Sequence, residues 1–183
     1  MINRQEWNEV EQRPFGWFSE LEGQLYVDTV SRHPHGIAVE LGVFMGRSLS
    51  FIIPICKEQD ITLYAIDVWD DTQYGQFQKN LERLNAKDIV KVIRMDSVEA
   101  ANQFSDFSVD VVMVDTLHTY KQTRREILAW TPKIRVDGDI LFHDYGVKEP
   151  KGSPIWNVKK AVDESFKETQ CVGSLCHVKK LVD

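Results

Sequence analysis

Five short apolar runs recur along the chain, at Gly36–Leu41, Thr62–Asp67, Val90–Met95, Val109–Asp115 and Asp139–His143, with helix-period segments between them. Nearly continuous apolar strands that alternate with helices predict a parallel sheet covered on both faces. Leu49, Ile52, Ile53 and Cys56 fall on one helical face, and Tyr120, Ile127, Leu128 and Thr131 do so more loosely before Pro132 ends the pattern. Pro54 does not suit the interior of a regular helix from Arg47, so a kink or a late start is expected there. Ser153-Pro154 reads as an N-cap with proline at the first helical position, followed by a stripe of Ile155, Val158, Val162 and Phe166 and a helix to about Glu168. Gln170–Val172 and Leu175–Leu181 then flank Gly173-Ser174, a two-residue hairpin signal. Near the start, Trp7, Phe15, Trp17 and Phe18 precede the helical pattern Phe18, Leu21, Leu25, Tyr26. Most of these rings are expected to pack on the sheet, with the Pro14–Phe18 turn as the place where some wall a pocket.

Length and composition narrow the class. With 183 residues, 43% of them hydrophobic and 27% charged, the chain reads as one globular domain over 1–183. Within it, 1–33 is a helical lead-in and 36–183 the core. A net charge of −6 argues against a nucleic-acid backbone as partner, which needs a basic stripe. The pairs Arg124-Arg125, Lys159-Lys160 and Lys179-Lys180 are read as solvated faces. Cys56, Cys171 and Cys176 form no C-x-x-C pair, which favours reduced, buried thiols over disulfides. No apolar stretch approaches the ~20 residues of a membrane span, and Met1–Arg13 lacks the apolar region of a signal peptide. No membrane partner and a cytoplasmic location are expected.

The candidate chemistry sits where the apolar runs end. Ligands of open α/β sheets bind beyond the carboxyl ends of the strands. Each of the five runs ends in an acid: Glu40, Asp67, Asp96, Asp115 and, beside His143, Asp144. After the first run, Gly42 and Gly46 mark a tight turn where a ligand could approach the backbone closely. The turn lacks the middle glycine of G-x-G-x-x-G and the lysine of a phosphate cradle, so a pyrophosphate is not its natural ligand. Asp67 lies 25 residues beyond Gly42, near the spacing at which a carboxylate meets a ribose diol. Asp96 and Ser97 suit an adenine edge, with a helix cap as the competing role, and Val68 or Trp69 suits its face. His33, His35 and His177 have no such company and are read as surface or strand residues.

The turn Glu40-x-Gly42-x-x-x-Gly46-x-Ser48 resembles motif I of class I S-adenosylmethionine (SAM) methyltransferases. Asp115-x-x-His118-x-Tyr120, the run Arg135-x-Asp137-Gly138-Asp139-Ile140-Leu141-Phe142-His143-Asp144-Tyr145, Gly16-Trp17-Phe18 and Glu22-Gly23 are similar to the small class I enzymes related to macrolide and sugar O-methyltransferases. The likeness runs from about Gly16 to the C-terminus. It implies an α/β, Rossmann-like fold with a mostly parallel seven-stranded sheet in the order 3-2-1-4-5-7-6, closed by an antiparallel hairpin. It further implies a cofactor shell of Glu40, Gly42, Phe44, Met45, Gly46, Ser48, Asp67, Val68, Trp69, Asp96, Ser97 and Asp115. In such relatives the acid matching Asp115 and the pair matching His143-Asp144 hold a divalent metal, and the histidine matching His118 is the general base.

The implied reaction is methyl transfer from SAM to a hydroxyl of a small molecule such as a sugar or polyketide. His118, Asp115 and Asp144 would be its catalytic residues, with Asp115, His143 and Asp144 as metal ligands. A cation favours the alkoxide of the acceptor, and a neutral imidazole takes its proton near pH 7. His143 departs from the second carboxylate of the metal-dependent relatives. Mg²⁺ prefers oxygen ligands, whereas an imidazole suits Mn²⁺ or Zn²⁺ better. Two rivals stand beside this reading: an NAD(P)-dependent oxidoreductase and a non-catalytic SAM-binding module. Spare aromatic residues fit a homo-oligomer face as well as a pocket wall.

Overall fold

The computed structural model describes residues 13–147 and 157–180. Trp7 and the proposed Ser153–Ile155 helix start lie outside these residues. Seven strands form one sheet: β1 (Ile37–Leu41), β2 (Thr62–Asp67), β3 (Val90–Arg94), β4 (Val109–Val114), β5 (Ile134–Phe142), β6 (Gln170–Val172) and β7 (Leu175–Lys179). Their order is β3-β2-β1-β4-β5-β7-β6. Pairs among β1 to β5 are parallel, whereas β7 runs antiparallel to β5 and to β6. This is the sheet expected from the apolar runs and the closing hairpin.

Six helices cover it: α1 (Glu20–Val30), α2 (Leu49–Glu58), α3 (Asp71–Arg83), α4 (Ser97–Ala100), α5 (Tyr120–Trp130) and α6 (Val158–Asp163). Alternate strand residues feed two cores, as the period of two requires. Ala38, Val111, Met113 and Leu141 join α1 and α2 on one face. Val39, Val112, Ile140 and Phe142 join α5 and α6 on the other. Burial on both sides explains why the strands read as unbroken apolar runs.

Local chemistry sets the helix ends. Ser19 and Glu22 close a capping box on α1, and Asp70 and Gln73 do the same on α3. Helix α3 therefore starts at Asp71, directly after Asp70 at the end of the β2 turn. Helix α2 starts late, at Leu49, and Pro54 lies inside it. Proline has no N–H for the carbonyl of Ser50 four residues back. The guanidinium of Arg13 fills that gap, donating to Ser50 O at 3.2 Å. Helix α6 is capped by Asn157 and ends at Asp163, short of Glu168. Strand β5 begins at Ile134 rather than Asp139: Ile134 pairs with Val109, the exposed Arg135–Asp137 stretch bulges out of register, and pairing resumes between Asp139 and Val111.

Several sequence expectations need correction here. Cys171 and Cys176 face each other across the β6–β7 hairpin and form a disulfide, whereas Cys56 is free and buried. The register of the hairpin brings them together at a separation that no C-x-x-C pattern signals. Lys180 is no solvated cation: it is buried and donates to the carbonyls of Thr131 and Ile134 at 3.0 and 2.8 Å.

His177 lies on strand β7, one of the two places expected for it, whereas His33 is half-buried in the turn before β1. Both meet the fully buried Asp139, with Nε2 at 2.6 Å from Oδ2 and Oδ1 respectively, and Arg32 adds a contact of 3.3 Å. Asp110 sits beside them, 3.7 Å from His33 and 3.1 Å from Arg135. This cluster ties the α1–β1 connection to β5 and β7. His35, as expected, is exposed. Among the described residues no helix is long and apolar enough to cross a membrane.

Candidate active site

A cavity of about 740 Å³ opens along the carboxyl ends of the strands, within the roughly 300–1,000 Å³ typical of small-molecule sites. Gly42, Phe44, Ser48, Asp67, Val68, Asp96, Ser97 and Asp115 of the expected cofactor shell line it; Glu40, Met45, Gly46 and Trp69 do not. Glu40 is wholly buried below the turn and accepts from Ser48 Oγ at 2.6 Å. Burial pushes its carboxyl up to about 8, against the pull of the Ser48 hydrogen bond. The Met45 carbonyl accepts from Asn80. Trp69 is buried, stacks on Phe77 and donates its indole N–H to Phe44 O at 2.6 Å. It supports the turn from below.

The two glycines are required by the protein itself. Gly42 has φ +80°, and a Cβ there would lie 1.9 Å from the carbonyl oxygen of Asp115. Gly46 has φ +84° and meets the Phe77 ring. The turn is thus pressed onto the end of β4, and the close approach expected of a ligand is made by neighbouring chain. Asp67 secures the same turn. Its Oδ2 accepts from the backbone N–H groups of Val43 and Phe44, both at 2.8 Å, and its Oδ1 from Val68 and Trp69. Four bonds fill the lone pairs of a carboxylate, so a ribose diol would have to replace two of them.

At the third strand end, Asp96 caps α4 through Val98 and Glu99 N–H, and Ser97 donates to Glu126 at 2.5 Å. Buried Glu126 also holds Thr116 and Gln122, and burial raises its carboxyl above the usual range. Sequence reasoning missed it, since a lone acid within a helix carries no pattern.

The other half of the cavity gathers ionisable groups. His118 Nε2 lies 3.0 Å from Asp115 Oδ1 and 3.1 Å from Asp144 Oδ2. Asp115, His118 and Asp144 can each point one ligand atom to within 4.8 Å of the others, close enough for one metal ion. His143 Nδ1 is 3.2 Å from Asp115 Oδ1, while its Nε2 faces Ser174 Oγ at 3.3 Å and Glu22 at 3.8 Å. Burial disfavours the charged imidazole of His143, but the bonds to Asp115 and Glu22 outweigh it and lift the ring to about 10. Burial likewise opposes charge on Asp115, yet His118 and His143 hold it below the usual carboxylate range. Asp144 goes the other way, raised chiefly by burial.

Glu22 and Ser174 are the second omission of the sequence reading. Ser174 donates from N and Oγ to Glu22 Oε1, both at 2.7 Å, across 152 residues. Glu22 entered the sequence reading only within the Glu22-Gly23 motif and Ser174 only as a turn residue, and neither pattern signals their meeting under His143. Of the nine non-glycine residues with positive φ among the described residues, Phe44, His118 and Asp144 line the cavity. Such residues cost on the order of 1–3 kcal/mol each and cluster at functional sites.

A seven-stranded sheet of this order, with an acid-lined cavity above its carboxyl edge, is the architecture of the Rossmann-like methyltransferases. The chain belongs to the methyltransferase-domain family, whose model matches residues 39–145; membership implies SAM as the cofactor. It is 28% identical over 127 residues to the uncharacterized protein y4gI of Sinorhizobium fredii, a match covering 64% of this chain. The chain spans 14% of the length of that curated relative.

Among solved structures, a structural-genomics target from Corynebacterium glutamicum superposes with a TM-score of 0.72 at 16% identity, over 98% of this chain and 88% of that one. A candidate caffeoyl-CoA O-methyltransferase from Staphylococcus aureus gives 0.69 at 16% identity, over 96% and 89%. These likenesses establish the fold.

Proposed function

We propose that the chain is a SAM-dependent O-methyltransferase acting on a hydroxyl of a small molecule, with His118 as general base. The observation that carries this reading is His118 between Asp115 and Asp144 at the wall of the cavity. The single sheet, with a core on each face, supports one domain over 1–183 with 1–33 as its lead-in. The D-x-x-H-x-Y and H-D-Y motifs support kinship with macrolide and sugar O-methyltransferases. The cavity chemistry fits SAM: the carboxylates of Asp67 and Asp96 suit a cationic ligand, and Ile66, Val68 and Met95 offer apolar walls.

When bound, SAM supplies a methyl group on a sulfonium, ready for in-line displacement. The protein must present a deprotonated acceptor oxygen and exclude water. Asp115 and Asp144 both meet Nε2 of His118 and so fix the orientation of the imidazole at the cavity wall. The acceptor O–H proton passes to that imidazole, and the carboxylates stabilise the imidazolium that results. His143, held between Glu22 and Asp115, keeps Asp115 ionised and oriented.

A divalent metal is the secondary reading, supported by the spacing of Asp115, His118 and Asp144. Those residues would hold it, and two carboxylates with one imidazole suit Mn²⁺ or Zn²⁺ better than Mg²⁺. The two readings compete for one imidazole, since a metal-bound His118 cannot also take the proton. His143 of the expected ligand set is engaged by Glu22 and Ser174 on its far nitrogen.

Thermal-shift titration with SAM, S-adenosylhomocysteine (SAH), NAD and NADP tests the cofactor. Stabilisation by SAM and SAH is expected, and a shift with NAD alone sinks the reading. In a SAM-consumption assay over a hydroxyl panel, His118→Ala should lower turnover by about 100-fold or more with SAH affinity retained. Turnover that survives in His118→Ala but disappears with chelator would transfer the role to a metal. Tight SAH binding with no turnover on any acceptor would favour the binding-module rival.

A further inference from the structure

We propose that the acceptor is a flat, uncharged, mainly apolar molecule bearing the reacting hydroxyl, selected by the Phe15–Phe18 segment; this rests on the methyltransferase reading above. The first observation is an apolar mouth. Phe15, Trp17, Val68 and Leu117 are 63%, 75%, 64% and 68% exposed, and all four line the one cavity. Single exposed apolar residues need no explanation, but a group around one opening marks a binding surface. Trp17 lies nearly parallel to Phe44, with centroids 6.0 Å apart, and Phe15 meets Trp17 edge-on at 5.2 Å. Rings arranged this way offer flat faces to a flat guest. Leu117 directly precedes His118, so the apolar surface continues to the proposed base.

The second observation is how this wall is held. Arg47 Nε donates to Phe18 O at 2.7 Å and its Nη1 to Pro14 O at 3.3 Å. A Cβ on Gly16 would come within 2.9 Å of Arg47 Cβ. Two of the five N–H donors of the guanidinium thereby clamp the segment over the cofactor turn. A wall fixed before binding loses little freedom when a ligand arrives.

Charge supplies the third observation. Among the described residues of the cavity, Arg47 is the one Lys or Arg, whereas Asp67, Asp96, Asp115 and Asp144 contribute four carboxylates to the same lining. Phosphate and carboxylate groups are recognised by arginine forks, lysines or clustered N–H donors. Among the described residues, an acceptor carrying such a group would meet four carboxylates and one Arg, whose guanidinium already holds two backbone carbonyls. A sugar would bring several hydroxyls against a mouth where Phe15, Val68 and Leu117 offer no hydrogen bond and Trp17 only its indole N–H.

Calorimetry on the full chain tests this in two stages. SAH is titrated first, and its failure to bind sinks the methyltransferase reading itself. The SAH-loaded protein then receives three probes: 2-naphthol, 2-naphthyl phosphate and a methyl glycoside. 2-Naphthol should bind at least about tenfold more tightly than either of the others. Trp17→Ala, at an exposed position that the fold does not need, should weaken 2-naphthol about tenfold and leave SAH affinity within about threefold. Equal or tighter binding of the phosphate or the glycoside, no binding of 2-naphthol, or an unaltered affinity in Trp17→Ala would each overturn the proposal while SAH still bound.

Discussion

Two histidine–aspartate clusters stand at opposite parts of this sheet, and their surroundings give them different tasks. At the carboxyl edge, Glu22, Asp115 and Asp144 surround His118 and His143, so acids outnumber imidazoles beside an open cavity. In the other, three fixed cations, Arg32, Arg135 and Lys179, and the imidazoles of His33 and His177 surround Asp110 and Asp139, the latter a carboxylate with no exposure. A sealed, over-compensated carboxylate has no capacity left for a ligand and serves as a tie between elements. An open, acid-rich group keeps capacity for a cation or for a proton in transit. The residue types alone do not distinguish the two; access and charge balance do.

The largest effect should come from the sealed cluster. Asp139→Ala leaves two buried imidazoles and a guanidinium without their acceptor, at a cost of about 3 kcal/mol. Urea unfolding should show that loss with SAH affinity intact, and impaired SAH binding would break the division of labour.

Glu22→Gln probes the open cluster. Its amide oxygen still accepts from Ser174, so the expected destabilisation is smaller, about 1–2 kcal/mol. Turnover should fall while SAH affinity holds, because His143 is left to Asp115 alone.

The third prediction separates the clusters by pH. Burial opposes charge on Asp139, but His177, His33 and Arg32 hold its carboxyl well below the usual range. A depressed carboxyl stabilises fully above its unfolded value of about 3.9 and loses that contribution as pH falls through the folded value. Glu22, also depressed through His143, Ser19 and Ser174 despite its burial, shares this acid limb.

His143, raised to about 10, stabilises fully below its unfolded value of about 6.5 and loses the contribution as pH climbs through the folded one. Thermal melts across pH should therefore fall on both sides. Asp139→Ala should flatten the acid limb, and Glu22→Gln should draw the alkaline limb to lower pH. Glu22→Gln also removes its own share of the acid limb, so movement of the alkaline limb in Asp139→Ala is the result that would show the clusters to be coupled.

Much of the fold was legible before any coordinates. β2 appears at its expected bounds, β1, β3 and β4 each lose one terminal residue, and the hairpin turns at Gly173-Ser174 as expected. Strand runs and turn residues are local signals, and a sheet buried on both faces writes them plainly. Helix α3 was harder, because its apolar face is thin: Phe77 and Leu81 are buried amid polar neighbours.

The site was legible at the level of strand ends, since all five acids stand on the expected edge. Their partners were not. Trp69, Glu40 and Gly46 serve the turn from beneath, and Asp67 spends its oxygens on backbone N–H groups. Sequence spacing places a residue near a ligand but does not say which neighbour reaches it first.

The sequence by itself determined the α/β architecture, the edge on which chemistry collects and the methyltransferase motif, because each depends on residue type at short spacing. Only the tertiary structure decided which histidine is sealed and which is open, that Cys171 meets Cys176, and that Glu22 and Ser174 meet beneath His143. Those outcomes depend on long-range register and on access to water. Both are properties of the assembled sheet, set by contacts between residues that no local pattern joins.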